Sequence, residues 1–124
     1  MEGAICQTLG NNYLALGEYA KAEHYFRRAR KIGERILGEE HPATLRSMDR
    51  QGVALCRLGR FPEGEQLHRL ALAIRNRTQG AEHLDTHATM RNLANALQDQ
   101  NKLPEAATLH RKVLDFQRRT LADV

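Results

Sequence analysis

The sequence has few of the residues and motifs on which most catalytic sites are built. It contains no tryptophan, its only serine is Ser47, and its only cysteines are Cys6 and Cys56. It has no G-x-S-x-G, P-loop or H-E-x-x-H motif, so it offers no arrangement for acyl transfer, phosphoryl transfer or zinc-dependent hydrolysis. We therefore predict that the chain is not an enzyme and that it uses no cofactor.

Long apolar runs are also missing, because no stretch approaches the ~18–20 residues that a transmembrane helix needs. The first six residues have neither the basic region nor the apolar core of a signal peptide. These absences predict a cytoplasmic protein without a membrane segment. In that compartment the two cysteines are expected to be small buried thiols rather than a disulfide.

The composition is that of an ordinary folded domain, with 41% hydrophobic and 27% charged residues. Only three prolines occur and β-branched residues are scarce, so helix is the expected secondary structure. The formal net charge of +4 permits an acidic partner without requiring one.

An internal repeat is the strongest signal in the sequence. Residues 37–44, LGEEHPAT, return 42 positions later at residues 79–86 as QGAEHLDT. The same spacing aligns residues along the whole chain, including the sets Cys6/Met48/Met90, Gly17/Gly59/Asn101, Arg27/Arg69/Arg111 and Ile32/Ile74/Phe116. A period between about 20 and 50 residues is typical of stacked helical repeats.

Each block of 42 residues contains two helix-length segments separated by a turn. Gly17, Gly59 and Asn101 stand where a helix ends in the left-handed conformation. Pro62 and Pro104 follow in the first turn of the next helix, where the missing N–H costs nothing. The predicted helix pairs are 3–16 with 19–37, 43–58 with 62–79, and 85–100 with 104–121.

Small residues recur at one position of each helix, and their placement predicts close packing. First helices carry Gly10, Gly52 and Ala94, and second helices carry Ala22, Gly64 and Ala106. A glycine inside a helix costs up to about 1 kcal/mol relative to alanine. Its repetition at one position therefore predicts that two helices approach closely there.

These residues resemble the pattern of the tetratricopeptide repeat. The match is best in the first block, at Cys6, Leu9, Gly10, Tyr13, Ala22, Phe26 and Ala29. The 42-residue period and the LGEEHPATL connection are similar to the long-helix variant found in kinesin light chains. His68, His110 and Gln51 depart from the family pattern. HEAT and armadillo repeats, at about 40–47 residues, are the alternative at this period.

The resemblance implies an all-α fold, a right-handed α-solenoid of three antiparallel helix pairs. We expect one domain over residues 1–124, with repeats at 1–40, 41–82 and 83–124. The missing polar capping helix suggests a segment of a longer array.

In this family the first helices line a concave groove, and groove asparagines commonly hold the main chain of an extended peptide. The residues of this chain at such positions are Asn11, Arg46, Arg50, Arg57, Arg91, Asn92 and Asn95. Arginine suits carboxylates, so the predicted function is protein–protein interaction through an acidic peptide in the groove. The alternative is that these arginines form a solvated face paired locally with Asp49 and Asp99.

The same sequence allows other functions. A structural or self-association role through the repeat ends, or a sensor segment of a larger signalling protein, is the alternative to peptide binding. Nucleic-acid binding is not favoured, because the basic cluster at residues 27–35 lacks an aromatic stacking platform. A metal site at His83 and His87 is not favoured either, because His41 has no second histidine at Leu45.

Overall fold

The computed structural model describes residues 2–122 and forms six helices over that range. They are α1 (Glu2–Ala15), α2 (Tyr19–Ile36), α3 (Pro42–Arg57), α4 (Phe61–Thr78), α5 (Leu84–Asp99) and α6 (Leu103–Ala122). Every helix begins and ends within one residue of its predicted position. The expected outer repeat limits at residues 1 and 124 lie outside the described residues.

The helices are arranged as a stack of antiparallel pairs. Each helix packs mainly against its neighbours in the chain, and α3 also contacts α5. We call α1, α3 and α5 the first helices and α2, α4 and α6 the second helices. Within residues 2–122 the fold is all-α, and none of its helices is long and apolar enough to span a membrane.

The turns inside the pairs have the conformation that their residues predict. Gly17 and Gly59 have φ angles of +76° and +83°, and Asn101 at the equivalent place has +62°. Asn101 is the only non-glycine residue with positive φ among residues 2–122. Asparagine tolerates this conformation better than other side chains, so the third turn keeps the geometry of the first two.

The repeated LGEEHPAT stretch forms the connection between pairs, and its histidines cap the following first helices. The Nδ1 atom of His41 accepts a hydrogen bond from the Ala43 N–H at 3.0 Å. The Nδ1 atom of His83 accepts one from the Asp85 N–H at 3.0 Å. Each cap satisfies a backbone donor that the start of a helix leaves free.

The predicted close approach between helices occurs at the small residues. A Cβ atom on Gly10 would lie 2.6 Å from the ring of Phe26. A Cβ atom on Gly52 would lie 2.7 Å from the ring of His68, and one on Gly64 would lie 2.5 Å from the Cys56 sulfur. The first and second helices of each of these pairs can pack this closely because no side chain separates them there.

Alanine at residue 10 should therefore destabilise the protein despite its better helix propensity. The new methyl group forces the buried Phe26 ring to move, which costs about 1–3 kcal/mol. Gly3→Ala is the matched control, since its Cβ atom would meet Ile32 at an ordinary 3.4 Å. Urea unfolding should show a lower free energy of unfolding for Gly10→Ala and an equal or higher one for Gly3→Ala. Equal changes in the free energy of unfolding for the two variants would contradict the prediction that the helices are too close at Gly10 to accept a side chain.

The apolar core is divided among small clusters, and two of these include residues from adjacent pairs. Ala54 of α3 packs with Ala22 and Phe26 of α2. Leu72 of α4 packs against the cluster that contains Leu93 of α5. Each helix pair therefore buries part of its apolar surface on the next pair, as stacked repeats do.

Polar side chains also join the pairs. Gln51, which departs from the family pattern, accepts a hydrogen bond from Arg30 Nε at 2.7 Å and donates one to Glu23 at 2.9 Å. These partners satisfy a buried amide that would otherwise cost free energy. The junction between the first two pairs therefore contains buried polar contacts as well as apolar ones.

Glu65 makes the equivalent polar connection between the second and third pairs. Its carboxylate accepts hydrogen bonds from Arg69 at 2.7 Å, Gln100 at 2.8 Å and Lys102 at 3.0 Å. Burial by itself raises the pKa of this carboxyl. The hydrogen bonds from Arg69, Lys102 and Gln100 lower it by a larger amount, so the pKa is about 2. The charged form is therefore favoured in the folded state.

The depressed pKa predicts an acid-dependent loss of stability. The stabilisation by Glu65 should be complete above its ordinary pKa of 4.5 and lost as the pH falls toward about 2. Glu65→Gln should lower the free energy of unfolding at neutral pH by about 1–3 kcal/mol, and its difference from the wild type should vanish in acid. Glu39→Gln, at an exposed carboxyl without an ion pair in the described part, should change little. A constant deficit of Glu65→Gln across this pH range would contradict the linkage.

Candidate functional site

Two adjoining depressions lie between α3 and α5, and we call them together the first-helix groove. The arginine depression has a volume of about 320 Å³. Its polar lining residues are Arg46, Asp49, Arg50, Arg75, Asp85, Arg91 and Asn92. The amide depression has a volume of about 330 Å³ and polar lining residues Cys56, Arg57, His68, Asn92, Asn95, Gln98 and Asp99. Val53 and Asn92 border both depressions, which makes the groove continuous.

The structure brings six of the seven sequence-predicted site residues into this groove. Those in the arginine depression are Arg46, Arg50, Arg91 and Asn92, and the amide depression adds Arg57 and Asn95. Asn11 lies on α1 and borders neither depression. Its Oδ1 atom is buried and has no hydrogen-bond partner among the described residues.

Four of the five groove arginines have no carboxylate partner among the described residues. Within residues 2–122, no Asp or Glu oxygen lies within 4.0 Å of the guanidinium groups of Arg46, Arg50, Arg57 or Arg91. The Nε atom of Arg50 is buried and without a hydrogen-bond partner in the same range. Within the described range, these four arginines are therefore not paired with Asp49 or Asp99, and the arginine depression keeps an excess of positive charge.

The basic cluster on α2 differs from the groove in this respect. Arg27 pairs with Glu23 at 3.7 Å and Arg30 pairs with Glu34 at 2.8 Å. Arg28 lies 3.4 Å from Glu2. Most of this cluster is thus compensated locally, as is common for charges on a solvated surface.

Asp49 points into the protein, where it connects three helices. Its Oδ1 atom lies 2.9 Å from Nδ1 of His68 on α4. Its Oδ2 atom accepts a hydrogen bond from the Thr89 hydroxyl on α5 and lies 3.7 Å from Arg75 Nε. Because a carboxylate only accepts hydrogen bonds, His68 donates its Nδ1–H. Both carboxylate oxygens of Asp49 make these contacts, so Asp49 does not pair with the arginines that line the groove.

Arg75 forms the charged floor of the arginine depression. It is only 4% exposed, and it lies near two carboxylates, Asp49 at 3.7 Å and Asp85 at 3.6 Å. Its Nη1 atom donates to the side chain of Gln79 at 3.2 Å. A buried guanidinium requires such compensation, since removing it from water unpaired is costly. The sequence contains no local signal of this role, because the partners come from three different segments.

His68 and His110, at equivalent positions in their repeats, both bond to the first helix of their own pair. His68 contacts Asp49, and the Nε2 atom of His110 lies 3.2 Å from Gln98 Oε1. These two departures from the family pattern therefore form hydrogen bonds between helices. Phe26 fills the same position in the first pair.

Phenylalanine should fit at position 68 but should leave Asp49 without a donor. His68→Phe is therefore expected to lower the free energy of unfolding by about 2–3 kcal/mol. His110→Phe is the matched control, because the Gln98 side chain it releases is exposed to water, and we expect a change below about 1 kcal/mol. Thermal unfolding of the two variants measures the difference. If the two substitutions lower the free energy of unfolding equally, the contact between His68 and Asp49 does not stabilise the fold.

The chemistry of Cys56, which borders the amide depression, is that of an unreactive thiol. Burial raises its pKa to about 11, and the nearby carboxylates of Asp99 and Glu65 add to the effect. The thiol is therefore protonated at neutral pH, and the nucleophilic thiolate is scarce.

The two histidines considered for a metal site have separate structural roles. His83 uses Nδ1 to cap α5, and His87 stacks on Phe116 with a ring-centroid distance of 3.8 Å. Burial lowers the pKa of His87, so its neutral form is favoured. No group of three or more potential metal ligands occurs among residues 2–122.

An apolar cleft of about 280 Å³ lies beside the groove, between α1, α2 and α3. Its lining includes Gly3, Ile32, Ile36 and Arg46, and Arg46 also borders the arginine depression. The second repeat has the buried Leu45 at the position of Gly3. The glycine therefore leaves space that a leucine side chain fills one repeat later.

Comparisons with known proteins agree with this architecture. The tetratricopeptide repeat family model matches residues 4–56 and 48–119. A search among curated proteins found no significant match.

Solved structures of similar shape come from several organisms. A Podosopora anserina protein described as a kinesin light chain with nearly identical TPR-like repeats superposes with a TM-score of 0.87 at 26% identity, over 94% of this chain and 56% of that one. BtubC (BKLC) from P. vanneervenii superposes with a TM-score of 0.86 at 20% identity, over 94% of this chain and 46% of that one. The TPR domain of Arabidopsis FLU superposes with a TM-score of 0.84 at 19% identity, over 95% of this chain and 96% of that one.

The chain spans about half the length of the first two of these structures, at 56% and 46%. BtubC and FLU are less than 25% identical to it and therefore show the fold alone. The family match covers both halves of the chain, and the kinesin-light-chain structure shares its repeat geometry. The chain belongs to the tetratricopeptide repeat family, with repeats of the kinesin-light-chain type.

Proposed function

We propose that this chain binds an extended acidic peptide segment of a partner protein in the first-helix groove. Tetratricopeptide repeats are in general protein–protein interaction modules, and they are typically non-catalytic. The observation that carries the finer proposal is the set of unpaired groove arginines. Arg46, Arg50 and Arg91 border one depression, and no described carboxylate pairs with any of them.

The two depressions suit different parts of an acidic peptide. A guanidinium presents a planar set of donors that matches a carboxylate, so the arginine depression would hold acidic side chains. Amide side chains offer both donors and acceptors, so Asn92 and Asn95 would bond the peptide main chain in the amide depression. Their placement supports a ligand that runs across both depressions.

The surroundings strengthen the attraction in the arginine depression. The buried Arg75 is offset by Asp49 and Asp85, so the excess positive charge of the depression comes from Arg46, Arg50 and Arg91. Charges near a surface of low dielectric interact more strongly than charges in open water. The apolar cleft that shares Arg46 could receive an aliphatic side chain adjacent to the acidic residues.

The alternative function is a structural one, in which the ends of the stack associate or the chain serves as a sensor segment of a larger signalling protein. In either case the free cysteines fit a reducing compartment, so the proposal includes a cytoplasmic location.

Peptide titration tests the groove proposal. An extended peptide rich in Asp and Glu should bind more tightly than the same peptide with Asn and Gln, and the binding should weaken as salt is raised. Arg50→Gln and Arg91→Gln should each raise the dissociation constant about 5–10-fold, because a charge-assisted hydrogen bond is lost. Isothermal titration calorimetry measures both effects.

Arg35→Gln and Arg118→Gln are the control variants. They remove the same charge from exposed second-helix positions outside the groove, and each should change the affinity less than about twofold. Equal affinity for the neutral peptide, or equal losses in groove and control variants, would contradict the proposal.

A further inference from the structure

The arginine depression carries more positive charge than a single carboxylate can neutralise. All of its polar lining comes from the interior helices α3, α4 and α5. Four arginines and two aspartates border it, so its formal charge is +2. The buried Arg75 lies 3.7 Å and 3.6 Å from the two aspartates. The excess charge is therefore carried by the other three arginines, Arg46, Arg50 and Arg91.

These three arginines approach the depression from two helices. Arg46 and Arg50 lie one turn apart on the same side of α3, and Arg91 lies on the neighbouring α5. Arg46 and Arg91 are exposed, whereas Arg50 is half-buried, and its Nε–H has no hydrogen-bond partner in the described part of the chain. A buried donor without a partner is costly, so an acceptor oxygen supplied by a ligand would stabilise Arg50.

The cluster is particular to one junction of the stack and is not a feature of the repeat. The positions 42 residues before its four arginines hold Ala4, Thr8, Gly33 and Asp49, none of which is basic. The positions 42 residues after Arg46, Arg50 and Arg75 hold neutral residues as well. Within the described residues this concentration of charge therefore occurs once, which suits a ligand with one strongly anionic group.

We propose that the arginine depression binds the phosphate of a phosphorylated serine or threonine in the partner's peptide segment. This inference rests on the proposed function and narrows its ligand. A phosphoserine carries about 1.5 to 2 negative charges at pH 7, which matches the formal charge of +2. An Asp or Glu side chain carries one negative charge and leaves part of the excess uncompensated.

The shape of the anion also favours phosphate. A carboxylate is planar, and one guanidinium can satisfy both of its oxygens in a bidentate pair. A phosphate presents three strong acceptor oxygens in a tetrahedral arrangement, so it can bond arginines from α3 and α5 at the same time. The side-chain amide of Asn92, which borders both depressions, can donate a further hydrogen bond. From there the peptide would continue into the amide depression.

A nucleic acid also carries phosphates, but its other groups do not fit the groove. Neither depression is bordered by a tyrosine or phenylalanine of residues 2–122, so bases would find no aromatic side chain on which to stack. Asp99 borders the amide depression and would repel further phosphates along a strand. The groove therefore favours one phosphate on a peptide over a continuous phosphate backbone.

Calorimetric titration with three forms of one peptide tests the inference. The acidic peptide is made with phosphoserine, Glu or Gln at one central position. The phosphoserine form should bind at least about tenfold more tightly than the Glu form, because it makes further charge-assisted hydrogen bonds. The phosphorus NMR resonance of the phosphoserine should shift when the chain is added.

Substitutions in the two depressions locate the phosphate. Arg46→Gln and Arg50→Gln should each reduce the preference for phosphoserine to about threefold or less, because each removes a phosphate contact. Arg57→Gln is the matched control. It removes the same charge from the amide depression, so it should weaken both forms by the same factor and keep the tenfold preference. Circular dichroism melting checks folding, and the exposed Arg46 gives a readable variant even if Arg50→Gln unfolds the chain.

The outcomes separate this inference from the proposal on which it rests. Equal affinity for the phosphoserine and Glu forms, both tighter than the Gln form, would overturn the phosphate inference and leave the acidic-peptide proposal standing. Absence of binding by all three forms would overturn both. Inorganic phosphate that displaces the peptide at equal concentration, or a single-stranded RNA that binds more tightly than the phosphoserine form, would overturn the assignment to a phosphorylated peptide.

Discussion

The structure depends on the close approach of two helices within each pair. Gly10 lies against Phe26 and Gly52 lies against His68, at distances that leave no room for a side chain. This contact fixes how the first and second helices of a pair pack. Because a small residue recurs there every 42 residues, successive pairs stack in the same way and the first helices lie side by side.

The residue in the second-helix position of this contact links the core to the groove. In the second pair His68 replaces an aromatic hydrocarbon ring, and its buried N–H bonds to Asp49. Asp49 also accepts a hydrogen bond from the Thr89 hydroxyl and lies near Arg75. Arg75 in turn lies near Asp85. Both carboxylates that border the arginine depression are thereby held near the buried Arg75. The arginines above them keep their positive charge, and that excess is the physical basis of the proposed preference for acidic peptides.

The sequence predicted the helices because their boundaries are encoded locally. Turn residues such as Gly59 and Asn101 specify the left-handed conformation, and the 42-residue register then places the groove arginines. The burial of Asp49 and its contacts could not be predicted in this way. It shares its repeat position with Arg91, which is exposed, and its burial depends on partners 19 and 40 residues away. Contacts across junctions have no local pattern, so the polar network was found only in the structure.

The central proposal is that the unpaired arginines of the first-helix groove are the ligand-contacting surface. NMR titration of the labelled chain with an acidic peptide, observing backbone amides and arginine Nε–H groups, tests this claim most directly. The account predicts that the largest shift changes fall on α3 and α5, with the Nε–H groups of Arg50 and Arg91 among them. Changes centred on Lys31 and Arg35 of α2, or no saturable changes at all, would contradict it.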